Sequence, residues 1–155
     1  MSELPHLNDA GEVHMVDVSA KEDTVREAVA ETLVTLAEET AELLFGGGLK
    51  KGDALASIRL AGIMAAKKTP DLIPLCHPVA LSAVSVDIER TDAGARITTT
   101  AKTTGPTGIE MEAMTAASVA ALALYDMVKS VERGVVIGPT QLLKKSGGRS
   151  GTWQR

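Results

Sequence analysis

From Ile109 to Val131 the chain reads as one long helix with almost no polar face. Met114, Ala117, Ala121, Leu124 and Val128 spread around it at helical spacing. A helix that is apolar nearly all round has to be buried on most sides. The whole chain has 155 residues, room for one domain, 1–155, rather than two. Part of the cover for this helix is therefore expected from a partner subunit. Gly134 is expected to end it.

Around this helix the other elements follow from pattern. His14 to Ser19 alternates and predicts a short strand. Thr24 to Leu36 fits either a helix or a strand, because helical spacing of Val25, Val29, Leu33 and Leu36 competes with β-branched content. Ala37 to Phe45 predicts a helix stopped at Gly46-Gly47-Gly48. Asp53 predicts an N-cap for a helix over 54–67, with Pro70 as its stop. Leu72 to Val79 holds two prolines and predicts an ordered loop. Leu81 to Glu89 and Arg96 to Thr104, joined by Asp92-Ala93-Gly94, predict a hairpin. The segment Lys144 to Gly151 is flexible by composition, so a flexible tail is expected over about 144–155. Hairpins mixed with helices predict an α+β sandwich.

Composition excludes some classes of function. A net charge of −4 and only three aromatic residues argue against a nucleic-acid binder. Cys76 is the one cysteine, so no internal disulfide forms, which suits a reducing compartment. The polar start, Met1 to Leu7, has no apolar signal core, and no apolar stretch is expected to reach the length of a membrane span. A soluble, cytoplasmic protein is the expectation. From Met127 onward six basic residues face one acidic residue, Glu132. That basic end suits a small anionic ligand or is simply solvated.

Three groups of residues could carry chemistry. In Asp71 to Pro78 (D-L-I-P-L-C-H-P) a thiol sits beside an imidazole between prolines. Cys76 reads as a nucleophile or an inert thiol, and His77 as an acid–base group, a ligand or a structural loop histidine. On the long helix, Glu110, Glu112, Asp126 and Lys129 interrupt the apolar surface. They mark a solvated stripe or a site. Asp126 and Lys129 are three apart and share a face, so they can act as a base and acid pair. Glu112 and Asp126 point the same way but lie roughly 21 Å apart along the axis. One small-molecule site could use both only if two copies of the helix crossed antiparallel. Third, Lys50-Lys51, Lys67-Lys68 and Lys144-Lys145 offer point cations for phosphate or solvated faces. No Walker-type loop is present. His6, His14, His77 and Cys76 do not make a metal ligand set.

The strings D-L-I-P-L-C-H-P and T-G-I-E-M-E-A-M-T-A-A are long and unusual. With H-M-V-D-V-S-A from His14, Lys51-Gly52-Asp53, Ala61-Gly62-Ile63, Tyr125-Asp126-Met127, Ile137-Gly138-Pro139 and K-S-G-G from Lys145, they run in order over nearly the whole chain. Taken together they resemble the cyclic pyranopterin monophosphate synthases of molybdenum-cofactor biosynthesis. The resemblance implies a ferredoxin-like sandwich of antiparallel sheet and helices, assembled as a hexamer that is a trimer of dimers. It implies a lyase that converts 3′,8-cyclo-7,8-dihydroguanosine 5′-triphosphate into cyclic pyranopterin monophosphate and releases pyrophosphate.

The same resemblance implies roles for particular residues. Asp126 matches the active-site residue, Lys129 its acid–base neighbour, and Lys51 and His77 assist. Leu75, Cys76 and His77 form one substrate-binding stretch, and Met111 with Glu112 another. Lys21, Arg26, Lys67 and Lys145 hold the triphosphate or line the pocket. No tightly bound cofactor is implied, although magnesium can accompany the triphosphate. Pro106 stands where members often carry lysine, and Gly46 to Lys50 also differs. Two other readings stay open at this level: a non-catalytic nucleotide-binding sensor of the same fold, and a structural oligomer built on the long helix.

Overall fold

The computed structural model describes residues 6–155; the polar start read above lies, over Met1–Pro5, outside the described residues. The ambiguous segment resolves as a strand, β1 (Thr24–Thr35). Its β-branched residues sit at the centre of a sheet, where both edges of the strand are paired. The predicted hairpin is β2 (Leu81–Thr91) and β3 (Gly94–Gly105), in register from Thr91 opposite Gly94 through Val84 opposite Ala101. Two further strands, β4 (Val136–Ser146) and β5 (Trp153–Gln154), complete the sheet. Its order is β2-β3-β1-β4-β5, with antiparallel pairing throughout.

The helices cover one face. They are α1 (Glu38–Phe45), α2 (Ala54–Lys67), the single turn α3 (Thr69–Leu72) and α4 (Glu110–Val128). The Asp53 carboxylate accepts from Ala56 N–H at 3.0 Å, capping α2 as its residue type predicts. Helix α4 lies over β1, β3 and β4, and α2 packs on α4 and β2. A side chain at Gly62 would meet Val86 Cγ2 at 2.9 Å and the Ala116 carbonyl at 3.2 Å, so glycine sets the close approach of α2 to α4. The result is the ferredoxin-like α+β sandwich that was expected.

Two cores lie beneath α4. Toward its C-terminal end Leu124 and Val128 meet Ile58, Val34, Ile97 and Leu44. Toward its start the contact is an alanine seam, Ala113 and Ala117 against Ala28, Ala30 and Ala101. Thr99 pins this seam, its buried hydroxyl donating to the Ala113 carbonyl at 2.7 Å. The opposite face of the sheet is polar and ion-paired. Glu27 accepts from Lys102 at 3.1 Å and Lys144 at 3.2 Å, and both lysines hold its carboxyl below the usual range.

Several expectations need correction. His14–Ser19 is not a strand: the isolated bridge Leu7–Val13 falls just before it, and its Val16 carbonyl is taken by the His77 ring instead. Helix α4 ends at Val128, six residues before Gly134. The turn that follows is closed by Val131 N–H and Glu132 N–H donating to the Val128 carbonyl, and the Glu132 carboxylate accepts from Ala37 N–H at 3.0 Å. Pro70 does not simply stop α2 but opens the turn α3, where its missing N–H has no cost. The segment 144–155, expected to be a flexible tail, is tied into the sheet: Lys144 and Lys145 pair with β1 on one side and with Gln154 and Trp153 on the other. Finally, α4 is long and apolar enough to cross a membrane by length and composition, contrary to the reading above. Its packing between α2 and the sheet accounts for that apolarity as the core helix of the fold.

Candidate functional site

At the start of α4 four separate segments enclose a groove of about 1000 Å³. One wall is the irregular run through Val16, Val18 and Lys21, and a second is Leu75, Cys76 and His77. A third is the Pro106–Gly108 loop with Glu110, Met111 and Glu112. The fourth is Lys145 with the turn 148–150, and Thr24 and Arg26 of β1 close the base.

The ring of His77 crosses the groove wall. Its Nε2 lies 2.6 Å from the Val16 carbonyl, which only accepts, so Nε2 carries the hydrogen and Nδ1 is left as the acceptor in the neutral ring. Burial pushes the Cys76 thiol up, and the Glu112 carboxylate pushes it further. A thiol held protonated is a poor nucleophile. Glu112 itself is only 3% exposed. Burial raises its carboxyl above the ordinary value, and neighbouring Glu110 adds to the shift. No cation pairs with Glu112 among the described residues. Such a carboxyl can hold a proton nearer neutral pH than a surface glutamate can.

Of the adjacent lysines in β4, alternation sends Lys144 to the ion-paired open face and Lys145 to the groove. The Lys145 ammonium lies 3.3 Å from Glu110 Oε1 and donates to Ser150 Oγ. Arg26 donates from Nε to the Gly105 carbonyl at 2.9 Å and from NH2 to the Pro106 carbonyl at 3.0 Å.

A second charged cluster occupies the far end of α4. Lys129 Nζ lies 2.7 Å from Asp126 Oδ1, and Lys51 Nζ lies 3.3 Å from Oδ2. Lys51 also donates to the Asp126 carbonyl at 2.6 Å. The hydrogen bond from Lys129, then that from Lys51, lowers the Asp126 carboxyl, and Asp126 in turn raises the Lys129 ammonium. All three side chains are open to water, Asp126 being 58% exposed. Asp126 and Glu112 belong to opposite ends of the helix, roughly 21 Å apart along the axis.

The structure thus sorts the residues singled out in the sequence into two groups. Lys21, Arg26, Leu75, Cys76, His77, Met111, Glu112 and Lys145 border one groove. Lys51, Asp126 and Lys129 form the distant cluster. Lys67 joins neither: it is exposed on the last turn of α2 and does not border the groove. Glu110, read in the sequence as part of a solvated stripe or a site, borders the groove as well, and so do Thr24 and Arg149, which no sequence motif singled out. For Arg149 the available signal was its place directly after K-S-G-G.

Fold and groove together describe a ferredoxin-like α+β domain with a groove bordered by Lys21, Arg26, Lys145 and Arg149, side chains of the kind that suit a small anionic molecule. A protein-family model described as MoaC family matches residues 15–148, and the chain belongs to the MoaC family. That membership makes it a cyclic pyranopterin monophosphate synthase, a lyase of molybdenum-cofactor biosynthesis acting on a small nucleotide. It does not favour the sensor reading.

Proposed function

We propose that the groove takes the cyclised guanosine triphosphate and that Asp126, Lys129 and Lys51 of a second copy complete the site. One observation carries this reading: eight residues expected at the substrate, from four separate segments, border one groove. The proton-transfer cluster, by contrast, lies a helix length away and faces water. Two α4 helices crossing antiparallel would bring the start of one to the end of the other. Leu122, one turn before Asp126, is 58% exposed, an apolar side chain suited to such a contact. A dimer of this kind, repeated as a trimer of dimers in the cytoplasm, is the assembly proposed.

In this reading Lys21 and Lys145 hold the triphosphate, and the Leu75–His77 wall and Met111 bracket the base. Glu112, whose burial favours the protonated form, faces the polar edge of the base. A sugar hydroxyl attacks the α-phosphorus, the bond to the β-phosphate oxygen breaks, and pyrophosphate leaves. Asp126 and Lys129 move protons during ring rebuilding and cyclisation, with Lys51 beside them and His77 contributing Nδ1. Among the described residues no three His, Cys, Asp or Glu side chains converge as a metal site. A magnesium ion accompanying the triphosphate would ride on its phosphates, and no step here runs through it.

The test is turnover of the cyclised triphosphate, following pyrophosphate and pterin product together. Asp126→Asn should lower kcat by about 10²–10⁴-fold while its circular dichroism and Tm stay near those of the parent. Turnover of that variant at the parent rate removes Asp126 from the chemistry. Substrate bound and returned unchanged by the parent would contradict the catalytic reading.

A further inference from the structure

Four basic side chains border the groove, and their surroundings differ. Lys145 is held between Glu110 and Ser150. Arg26 has two of its donors committed to the Gly105 and Pro106 carbonyls, fixing the loop that leads into α4. Its third face meets the backbone of the next wall, where any side chain at Gly148 (φ 72°) would overlap the guanidinium. Lys21 and Arg149 have no ion pair or side-chain hydrogen bond among the described residues. Of these two, only Arg149 offers a planar fork that matches phosphate oxygens in pairs.

Arg149 is also held in place. Gly151 N–H donates to the Gly148 carbonyl at 3.2 Å, closing a turn, and Ser150 is anchored by Lys145. Trp153 and Gln154 pair with Lys145 and Lys144 just beyond. Arg149 therefore projects at the groove from a turn pinned on both sides. A solvated tail residue would have neither restraint.

We infer that Arg149 is the guanidinium that grips the oligophosphate, and that Arg26 is a positioning residue that clasps the loop before α4 against the 148–150 turn. The inference rests on the reading of the groove as an oligophosphate site and deepens it. Pro106 fits this division. It has no N–H to offer, but its carbonyl is a fixed acceptor for Arg26, so the loop is held from β1. Arg26 then sets where Met111, Glu112 and Lys145 stand, while Arg149 sets how firmly the anion is held.

The experiment compares Arg149→Gln, Arg149→Lys and Arg26→Lys in the full chain. Binding of inorganic tripolyphosphate is measured by calorimetry, and KM and kcat are measured with the nucleotide substrate. Arg149→Gln should weaken tripolyphosphate and raise KM by about tenfold, the scale of one charge-assisted contact, with kcat within about twofold. Arg149→Lys should recover part of the affinity. Arg26→Lys keeps the charge but cannot span two carbonyls, so it should lower kcat about tenfold and change tripolyphosphate affinity by less than about threefold. If Arg26→Lys fails to fold, Gly148→Ala serves instead, since it crowds the guanidinium with both arginines in place, and it should reproduce the kcat loss. Unaltered tripolyphosphate binding by Arg149→Gln would overturn the inference, as would an Arg26→Lys effect confined to KM. If the parent protein does not bind tripolyphosphate at all, the oligophosphate reading itself falls, and the inference with it.

Discussion

The two ends of α4 carry the same kinds of side chain and treat them in opposite ways. At the start, Glu112 is enclosed above an alanine seam with no cation beside it, and burial lifts its carboxyl. At the end, Asp126 stands in water between two lysines, over a core of large aliphatic residues, and its carboxyl is lowered. A single helix thus presents one carboxyl disposed to keep a proton and another disposed to stay ionised. The difference comes from what lies underneath. Alanines let the helix start sink close to the sheet, so its polar side chains are desolvated. Leucine and valine fill the core beneath the other end, where the ions remain open to water.

The sharpest test of this division treats the two ends as parts of two different molecules. Glu112→Ala and Asp126→Ala should each be inactive alone. Mixed and allowed to exchange subunits, they should recover about a quarter of parent activity, since half of randomly paired dimers are mixed and each has one intact site of two. No recovery in demonstrated mixed oligomers means that both ends are not needed in one site.

The two cores should break in opposite directions. Leu124 is fully buried at the aliphatic end, and Leu124→Ala should cost about 3–5 kcal/mol of unfolding free energy. At the seam there is little to delete, so addition does the damage. Ala117→Leu, also at a fully buried position, should cost about 1–3 kcal/mol and should also weaken nucleotide binding by lifting the helix start. Equal tolerance of both changes in chemical denaturation would show that the ends do not differ in packing.

The smallest effect is a pH dependence. The Glu112 carboxyl is raised above 4.5 by burial. Its contribution to stability is fully present below that unfolded value and is lost as pH rises through the raised folded one. Glu112→Gln removes this loss. The variant should therefore gain on the parent as pH rises from about 4 to about 8, with the gap closing toward the acid end. Parallel stability curves for the two proteins would mean that Glu112 titrates as it does in the unfolded chain.

The sequence made some of this legible. The β2–β3 hairpin followed from strict alternation around Asp92-Ala93-Gly94, and α2 from its Asp53 cap, because both signals are local. β4 was not legible. Pro139 and Gly138 interrupt it and two lysines end it, all of which read as loop or tail. The strand forms because the pairing register shifts between Thr32 and Val34 of β1, and a bulge can accept a proline that has no N–H to donate. His14–Ser19 failed in the other direction, since alternation makes a strand only where a neighbour offers a ladder. In the site, the motifs supplied the groove residues and the helix arithmetic supplied the distance between the two ends. The clasp made by Arg26 was out of reach, because its acceptors lie 79 and 80 positions away and are backbone carbonyls, which carry no signature in sequence.

The pairing of β5 with the end of β4 has one more consequence. Trp153 is the only tryptophan in the chain. It is 42% exposed, lies directly across the ladder from Lys145, and has the Arg155 guanidinium 5.8 Å from its ring. Directly paired residues project from the same face of a sheet, so the indole stands beside Lys145, a residue of the groove wall. Its emission is the whole tryptophan fluorescence of the molecule, so the chain has a built-in optical gauge of whether that wall is occupied.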